Sequence, residues 1–375
     1  MKFIFACGGT AGHINPAIGV AGRIKELMPD SQFLFIGAKG KMETELVPRE
    51  GYPFKAVAVS NLSRSLTGGG IKHNLKAVKE LSLSMPACKK IIKEFQPDAV
   101  IGTGGYVCFP VLHEAAKLGI PTLVHESNAK PGLTTKLLEK SARRIMVGFE
   151  EAKANYSDPA KVYVTGTPVR LDFLRWDKKS ARKELGIPEH IPMVVSVWGS
   201  LGATDMNRTV AEMISLAMPD RPFRMIHSAG KRGIEGMESY LRDQLGLSGW
   251  NEAGFEVKDY IYDMPLVMAA ADLVLCRSGA STLAELAAMG KPAILVPSPN
   301  VVHNHQEVNA RVLENGGAAK ILLEKDATPE AMLNAITTLL SDPERLARMS
   351  RNMRAKGVAD ATDKIASMVI SLAME

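Results

Sequence analysis

The chain is poor in the residues that build special scaffolds. Only four cysteines occur in 375 residues, Cys7, Cys88, Cys108 and Cys276, each in an apolar stretch and none in CxxC spacing. That excludes a disulfide framework or a thiolate zinc site and predicts reduced core thiols in a cytoplasmic protein. Long hydrophobic runs are missing as well. The opening apolar stretch ends at Cys7 before a glycine loop, too short for a signal peptide, and no run reaches the ~18 apolar residues of a spanning helix. Any membrane contact is therefore expected to be peripheral. GxGxxG, a GK[S/T] ending and HExxH are also absent, which argues against a dehydrogenase, a P-loop enzyme and a zincin. No acidic pair suited to holding a metal is visible, and no cofactor is called for, although a divalent cation accompanying a diphosphate is compatible with the chain.

What remains is an ordinary soluble composition, 46% hydrophobic and 23% charged, on a chain too long for one core. Two domains are expected. The net charge of +6 suits phosphate ligands, anionic lipid or nucleic acid and by itself selects none of them.

The most informative stretch is Ser278 to Pro292, which follows the apolar run Ala271 to Cys276. A short apolar run reads as a buried parallel strand, and the Ser-Gly-Ala-Ser-Thr after it reads as a turn opening a helix. Helix-start N–H groups have no intrahelical partner and can hold an anion. Glu285 then falls one turn inside, where a carboxylate can accept from a vicinal diol, as on a ribose.

The N-terminus has a similar layout. Phe3 to Cys7 is a predicted strand, Gly8 to His13 a glycine turn, and Asn15-Pro16 the expected helix start. His13, in a turn that cannot bury it, is placed for acid–base work. Strands are predicted at Phe33 to Ile36, Lys55 to Val59, Ala99 to Ile101 and Pro121 to His125. The last two deliver Tyr106, Glu126 and Asn128 to the carboxyl edge shared with His13, the edge where open parallel sheets bind ligands.

Between Ser60 and Asp98 seven basic residues stand against three acidic ones. After Gly68-Gly69-Gly70, Ile71, Leu75 and Val78 recur at helical spacing with Lys72, Lys76 and Lys79 interleaved. Two readings fit: a helix lying on an anionic bilayer surface, or a core helix with a solvated basic edge.

Periodicity lapses near Tyr156 to Asp172, and the opening arrangement then recurs, with Met193 to Val197 as a strand and Trp198 to Ala203 as a glycine turn. Two halves that start alike predict an α/β chain of two Rossmann-like parallel-sheet domains facing across a cleft. Ser200 is the candidate diphosphate donor of the second half. Further strands are expected at Phe223 to His227, Tyr260 to Tyr262 and Ala293 to Pro297. His303 and His305 are discounted as a metal pair because i and i+2 do not share a helix face, whereas Gln306 and Asn309 do share one and suit sugar hydroxyls.

Taken together, GGTAGHINPA, GTGGYVCFP, HESNAKPGLTTK, VTGTPVR, GSLGA, CRSGASTLAEL and NHQEVNA resemble, in order and over essentially the whole chain, the MurG-type branch of the GT-B glycosyltransferases. Ala11 and Trp198 depart from it, standing where glycine is expected. The resemblance implies inverting transfer of N-acetylglucosamine from UDP-N-acetylglucosamine to the 4-hydroxyl of an undecaprenyl-diphosphate-linked muramoyl pentapeptide, at the cytoplasmic face of the membrane. It implies an anionic membrane surface as partner and no nucleic acid.

Carried over by position, Thr10, Ala11 and Gly12 line the donor near its diphosphate and Asn128 contacts the transferred sugar. Arg170 and Ser200 hold the nucleotide and diphosphate, and the backbone of Ile261 reads uracil. Ala280, Ser281, Thr282, Leu283, Ala284 and Glu285 wrap the diphosphate and ribose, and Gln306 binds sugar hydroxyls. His13 is the expected base, with Tyr106 and Glu126 as second candidates or acceptor-orienting groups. The expected division is 1–165 for acceptor and membrane, 166–350 for the UDP-sugar, and 351–375 for a closing helix on the first domain. Rival readings are an epimerase acting on the donor alone and a nucleotide-sugar sensor without chemistry.

Overall fold

Short apolar runs alternate with amphipathic helices, and such a chain buries its strands only by winding parallel sheets with helices on both faces. The computed structural model describes residues 1–61, 68–199, 203–230, 233–246, 254–301, 304–358 and 360–375. It divides into two units, Met1–Leu171 with Val358–Glu375, and Asp172–Gly357.

The first unit contains β1 (Lys2–Cys7), α1 (Ala11–Leu27), β2 (Gln32–Ala38), α2 (Glu43–Arg49), β3 (Phe54–Val57), α3 (Gly68–Phe95), β4 (Ala99–Gly104), α4 (Cys108–Lys117), β5 (Thr122–Glu126), α5 (Leu133–Leu138), β6 (Arg144–Val147) and β7 (Val162–Val164). Its seven strands run in the order β3-β2-β1-β4-β5-β6-β7, and every pairing is parallel. Side chains alternate across β1: Phe3, Phe5 and Cys7 enter one core, and Ile4 and Ala6 enter the other.

The second unit contains α6 (Lys178–Glu184), β8 (Met193–Val197), α7 (Thr204–Ala217), β9 (Arg224–Ser228), α8 (Ile234–Leu245), β10 (Phe255–Lys258), α9 (Met264–Ala270), β11 (Leu273–Cys276), α10 (Ala280–Met289), β12 (Ala293–Leu295), α11 (His305–Asn315), β13 (Ala319–Ile321), α12 (Pro329–Leu340) and α13 (Pro343–Lys356). Its six strands repeat the same winding, β10-β9-β8-β11-β12-β13, again all parallel. The last helix, α14 (Ala361–Met374), belongs to the first unit, where Ile365, Ala366, Val369 and Leu372 share a core with Ile14 and Ile18 of α1. Thr362 ties it to Val169, donating its hydroxyl to the carbonyl at 2.9 Å.

Two local expectations are corrected. Helix α1 starts at Ala11 rather than at Asn15, because Thr10 is extended and its carbonyl already accepts from His13 N and Ile14 N; Pro16 sits inside the helix. Tyr260 to Tyr262 is not a strand. Strand β10 precedes it at Phe255–Lys258, and Asp259 turns the chain by accepting from Tyr260 N at 2.7 Å. Strands β6, β7 and β13 lacked a sequence expectation, the last two being only three residues long. The unit boundaries fall at 171/172 and 357/358, where sequence reading placed 165/166 and 350/351.

Candidate active site

In both sheets the winding reverses beside the first strand of the unit, between β1 and β4 and between β8 and β11. The loops leaving the carboxyl ends of strands at such a reversal are the usual ligand position in sheets of this kind.

In the first unit the register of β1 against β4 slips between Ala6 and Cys7, so Cys7 faces Gly104 at the strand ends. Gly8 N–H then donates to the Gly104 carbonyl at 3.2 Å. The two glycine loops touch so closely that side chains are excluded. A Cβ on Gly105 (φ +91°) would meet the Gly8 carbonyl oxygen at 2.4 Å, and one on Gly104 (φ +123°) would meet His13 Cδ2 at 2.4 Å. His13 lies in the first turn of α1, half-buried. Its Nδ1–H donates to the Gly8 carbonyl at 2.8 Å, and Thr103 Oγ1 donates to the His13 carbonyl at 2.7 Å. Because a carbonyl only accepts, this bond puts the proton on Nδ1 and leaves Nε2 as the accepting nitrogen. Thr10, Ala11 and Gly12 form the start of α1, which has no side-chain cap.

The neighbouring loops supply Tyr106, which is exposed after Gly105, and Glu126 at the end of β5. Glu126 is buried and engaged on both oxygens. Oε1 accepts from Asn128 N and Asn128 Nδ2, both at 3.0 Å; Oε2 accepts from Gly132 N and Thr135 Oγ1, both at 2.9 Å. The carboxylate therefore holds the loop that carries Asn128 and leads into α5. Behind it, burial first of all pushes the His125 imidazole down, while its bond to the Gly166 carbonyl at 3.0 Å opposes that shift.

Sequence reading missed one residue of this loop cluster, the fully buried Glu43 at the start of α2. Its Oε2 accepts from Gly9 N at 3.0 Å and its Oε1 from Ala38 N at 2.8 Å. The available signal was an acid within an otherwise apolar-periodic turn, Met42, Leu46 and Val47, shortly after a strand.

In the second unit, β8 leads to Trp198 and Gly199 (φ +83°). Ser200, Leu201 and Gly202 lie outside the described residues, as do Val302 and His303. Trp198 stands where glycine was expected, yet its ring turns into the unit's core. The Arg277 guanidinium covers it at 5.5 Å while donating to the Val296 carbonyl at 3.1 Å and pairing with Glu324. Next door, β11 leads through Ser278 to α10, whose N-cap Gly279 offers no side chain to the helix start. Ala280 to Glu285 form the first turn and a half, with Glu285 buried. Ser278 Oγ donates to the Gln306 carbonyl at 2.9 Å, and Gln306 Oε1 accepts from Ser298 N at 2.9 Å, so α11 is fastened to both loops. Asn309, which shares a helix face with Gln306 by its spacing, follows it by three residues on α11. It is buried, and neither side-chain polar atom has a hydrogen-bond partner among the described residues. Ile261 is buried in the loop after β10. Arg170 lies in the first unit with its guanidinium 3.4 Å from Glu50.

Helix α3 buries Ala77, Ser84, Cys88 and Ile92 and turns its other face outward. Ile71, Leu75 and Val78 are 54%, 68% and 59% exposed. Lys72, Lys76 and Lys79 are exposed beside it. Among the described residues no helix is long and apolar enough to cross a membrane, and no group of three or more His, Cys, Asp or Glu is placed to hold a metal.

Residues 3–147 match the glycosyltransferase family 28 N-terminal domain and residues 193–365 the family 28 C-terminal domain. The UDP-N-acetylglucosamine--N-acetylmuramyl-(pentapeptide) pyrophosphoryl-undecaprenol N-acetylglucosamine transferase of Acetivibrio thermocellus is 44% identical over 98% of this chain and 97% of its own length. The crystal structure of Acinetobacter baumannii MurG superposes with a TM-score of 0.70 at 26% identity, over 99% of both chains. A UDP-GlcNAc 2-epimerase from Neisseria meningitidis, bound to UDP-GlcNAc, shares the fold alone, with a TM-score of 0.66 at 16% identity over 99% of this chain and 100% of its own. The chain belongs to the MurG-type branch of glycosyltransferase family 28.

Proposed function

We propose that this chain transfers N-acetylglucosamine from UDP-N-acetylglucosamine to the 4-hydroxyl of an undecaprenyl-diphosphate-linked N-acetylmuramoyl pentapeptide, with inversion at the anomeric carbon, in peptidoglycan synthesis. Family membership supports the substrates. The observation that carries the chemistry is the His13 imidazole, anchored through Nδ1 on the Gly8 carbonyl with Nε2 left to accept.

In this reading Nε2 takes the hydroxyl proton as the acceptor oxygen attacks and the UDP oxygen departs. A positioned base of this kind contributes roughly 10²–10⁴-fold. Glu126, saturated by four donors, keeps Asn128 against the transferred sugar instead of acting as base, and Tyr106 orients the acceptor. Charge growing on the diphosphate is met by the helix starts at Thr10, Ala11 and Gly12 and at Ala280 to Leu283, with Arg170 and Ser200; preorganised donors commonly supply the largest single term. Ala284 lines the same turn, Glu285 takes the ribose hydroxyls, the Ile261 backbone reads uracil, and Gln306 reads the sugar.

The acceptor's polyprenyl chain requires docking at the cytoplasmic face of the cell membrane. The exposed stripe Ile71, Leu75 and Val78 with Lys72, Lys76 and Lys79 supplies apolar contact and charge together.

Incubation with UDP-N-acetylglucosamine, with and without a short-chain muramoyl diphospholipid, tests the function. UDP release only when the lipid is present is the expected result. Epimerised donor in its absence would replace this reading with the isomerase one.

A further inference from the structure

We infer that Glu43 is a positioning residue for His13 and acts on it through the Gly8–Gly9 peptide group; this rests on His13 being the base. The N–H of Gly9 and the C=O of Gly8 belong to one amide. On one side the amide donates to Glu43 Oε2 at 3.0 Å; on the other its carbonyl accepts from His13 Nδ1–H at 2.8 Å. Carboxylate, amide and imidazole therefore form one chain of hydrogen bonds.

Two further observations show that the chain is built for this contact. The Glu43 side chain occupies a slot lined by two glycines: a Cβ on Gly8 would come within 2.4 Å of Glu43 Oε1, and a Cβ on Gly37 within 2.4 Å of Glu43 Cγ. Glu43 is fully buried and both its oxygens accept from backbone N–H groups, which is how an ionised carboxylate bonds.

The electronic consequence follows from the order of the groups. A carboxylate accepting from the amide N–H draws negative charge onto the carbonyl oxygen, and consecutive hydrogen bonds polarise one another. The stronger acceptor holds the Nδ1–H tautomer and fixes the ring plane. It also stabilises the imidazolium formed when Nε2 takes the proton from the acceptor hydroxyl. That proton stays on Nε2 until the site resets, Nδ1 keeps its own, and none crosses the amide. Glu43 thus plays toward His13 the part that a third group plays toward the base of a nucleophile–base pair, with a peptide inserted between them.

The test is a double-mutant cycle of Glu43→Gln and His13→Ala, read as kcat and donor KM with the short-chain lipid acceptor, each protein checked by its thermal midpoint. Glutamine keeps the shape but can accept from only one of the two N–H groups through its single oxygen. Glu43→Gln is expected to lower kcat roughly 10–100-fold, the range seen when a partner orienting a metal-bound histidine is lost, with little change in donor KM. In the His13→Ala background it should cost almost nothing more, because no imidazole is left to orient. Glu43→Asp, which keeps the charge, should retain more activity than Glu43→Gln and replaces it in the cycle should Glu43→Gln fail to fold. Equal losses in both backgrounds would make Glu43 a structural anchor only and overturn the inference. Wild-type kcat for Glu43→Gln beside a crippled His13→Ala would overturn it while leaving the base intact. Near-normal turnover of His13→Ala would remove the base reading and this inference with it.

Discussion

Gly104 and His13 are packed so that the space a Cβ would need at Gly104 is already filled by the imidazole, 2.4 Å away at Cδ2. Gly104→Ala must therefore push the ring aside, and the φ of +123° adds backbone strain. Displacing a catalytic group by about 1 Å can cost on the order of 10²-fold. We expect turnover to fall by about that factor with donor KM changed far less, measured by steady-state UDP release.

Glu126 gathers four donors on two oxygens, and the loop it organises should loosen in proportion to the bonds removed. Thr135→Val deletes one donor while Gly132 N still serves Oε2, a loss of about 1 kcal/mol. Glu126→Gln places an NH₂ against donors and leaves buried groups unmatched, costing about 1–3 kcal/mol. Chemical denaturation of the two variants beside the parent protein gives the comparison, and equal midpoints for all three would contradict it.

His227 gives the second unit a defined acid sensitivity. Its ring is buried, with Nδ1 accepting from Ser196 Oγ at 3.0 Å and Nε2–H donating to Asn207 Oδ1 at 3.2 Å, and desolvation pushes its pKa down to about 3 from 6.5. Between these values the unfolded chain binds the proton and the folded one does not. Stability therefore falls as the pH drops below 6.5 and stops falling on this account near 3, at up to about 1.4 kcal/mol per pH unit. Thermal midpoints recorded from pH 7 to pH 4 should slope downward, and His227→Gln should flatten the slope whatever its midpoint at neutral pH.

The outward stripe of α3 predicts a separation of binding from chemistry. Leu75→Glu, or glutamate at Lys72, Lys76 and Lys79 together, should weaken sedimentation with anionic vesicles while leaving turnover of a short-chain soluble acceptor near normal. Each lysine near an anionic surface contributes about 1 kcal/mol, so the triple change should cost on the order of 10²-fold in partitioning. Unchanged partitioning would return the stripe to an ordinary surface.

The elements that sequence reading located best were those with a single strong cause. Met193 to Val197 and Phe3 to Cys7 are apolar runs ended by glycine, and no competing structure suits them. Tyr260 to Tyr262 failed because aromatic residues favour strands while the partner strand β9 was already taken up by Phe255–Lys258. The start of α1 was hidden by Pro16, which reads as a first-turn residue but sits deeper. His13 could be singled out as an isolated histidine in a glycine turn. Glu43 left only the faint trace of an acid in an apolar turn, since its partners are backbone amides of Gly9 and Ala38, and a bond to a main-chain group leaves no mark on the partner's identity.

The return of α14 to the first unit sets an order of events during synthesis. The chain from Val358 onward emerges from the ribosome only after all of Asp172–Gly357 has been made. Until then the α1 face that meets Ile365, Val369 and Leu372 stays wet. The first unit must therefore wait, incompletely sealed, while the whole of the second is translated, and transiently exposed apolar surface of that kind is the reason chaperones exist.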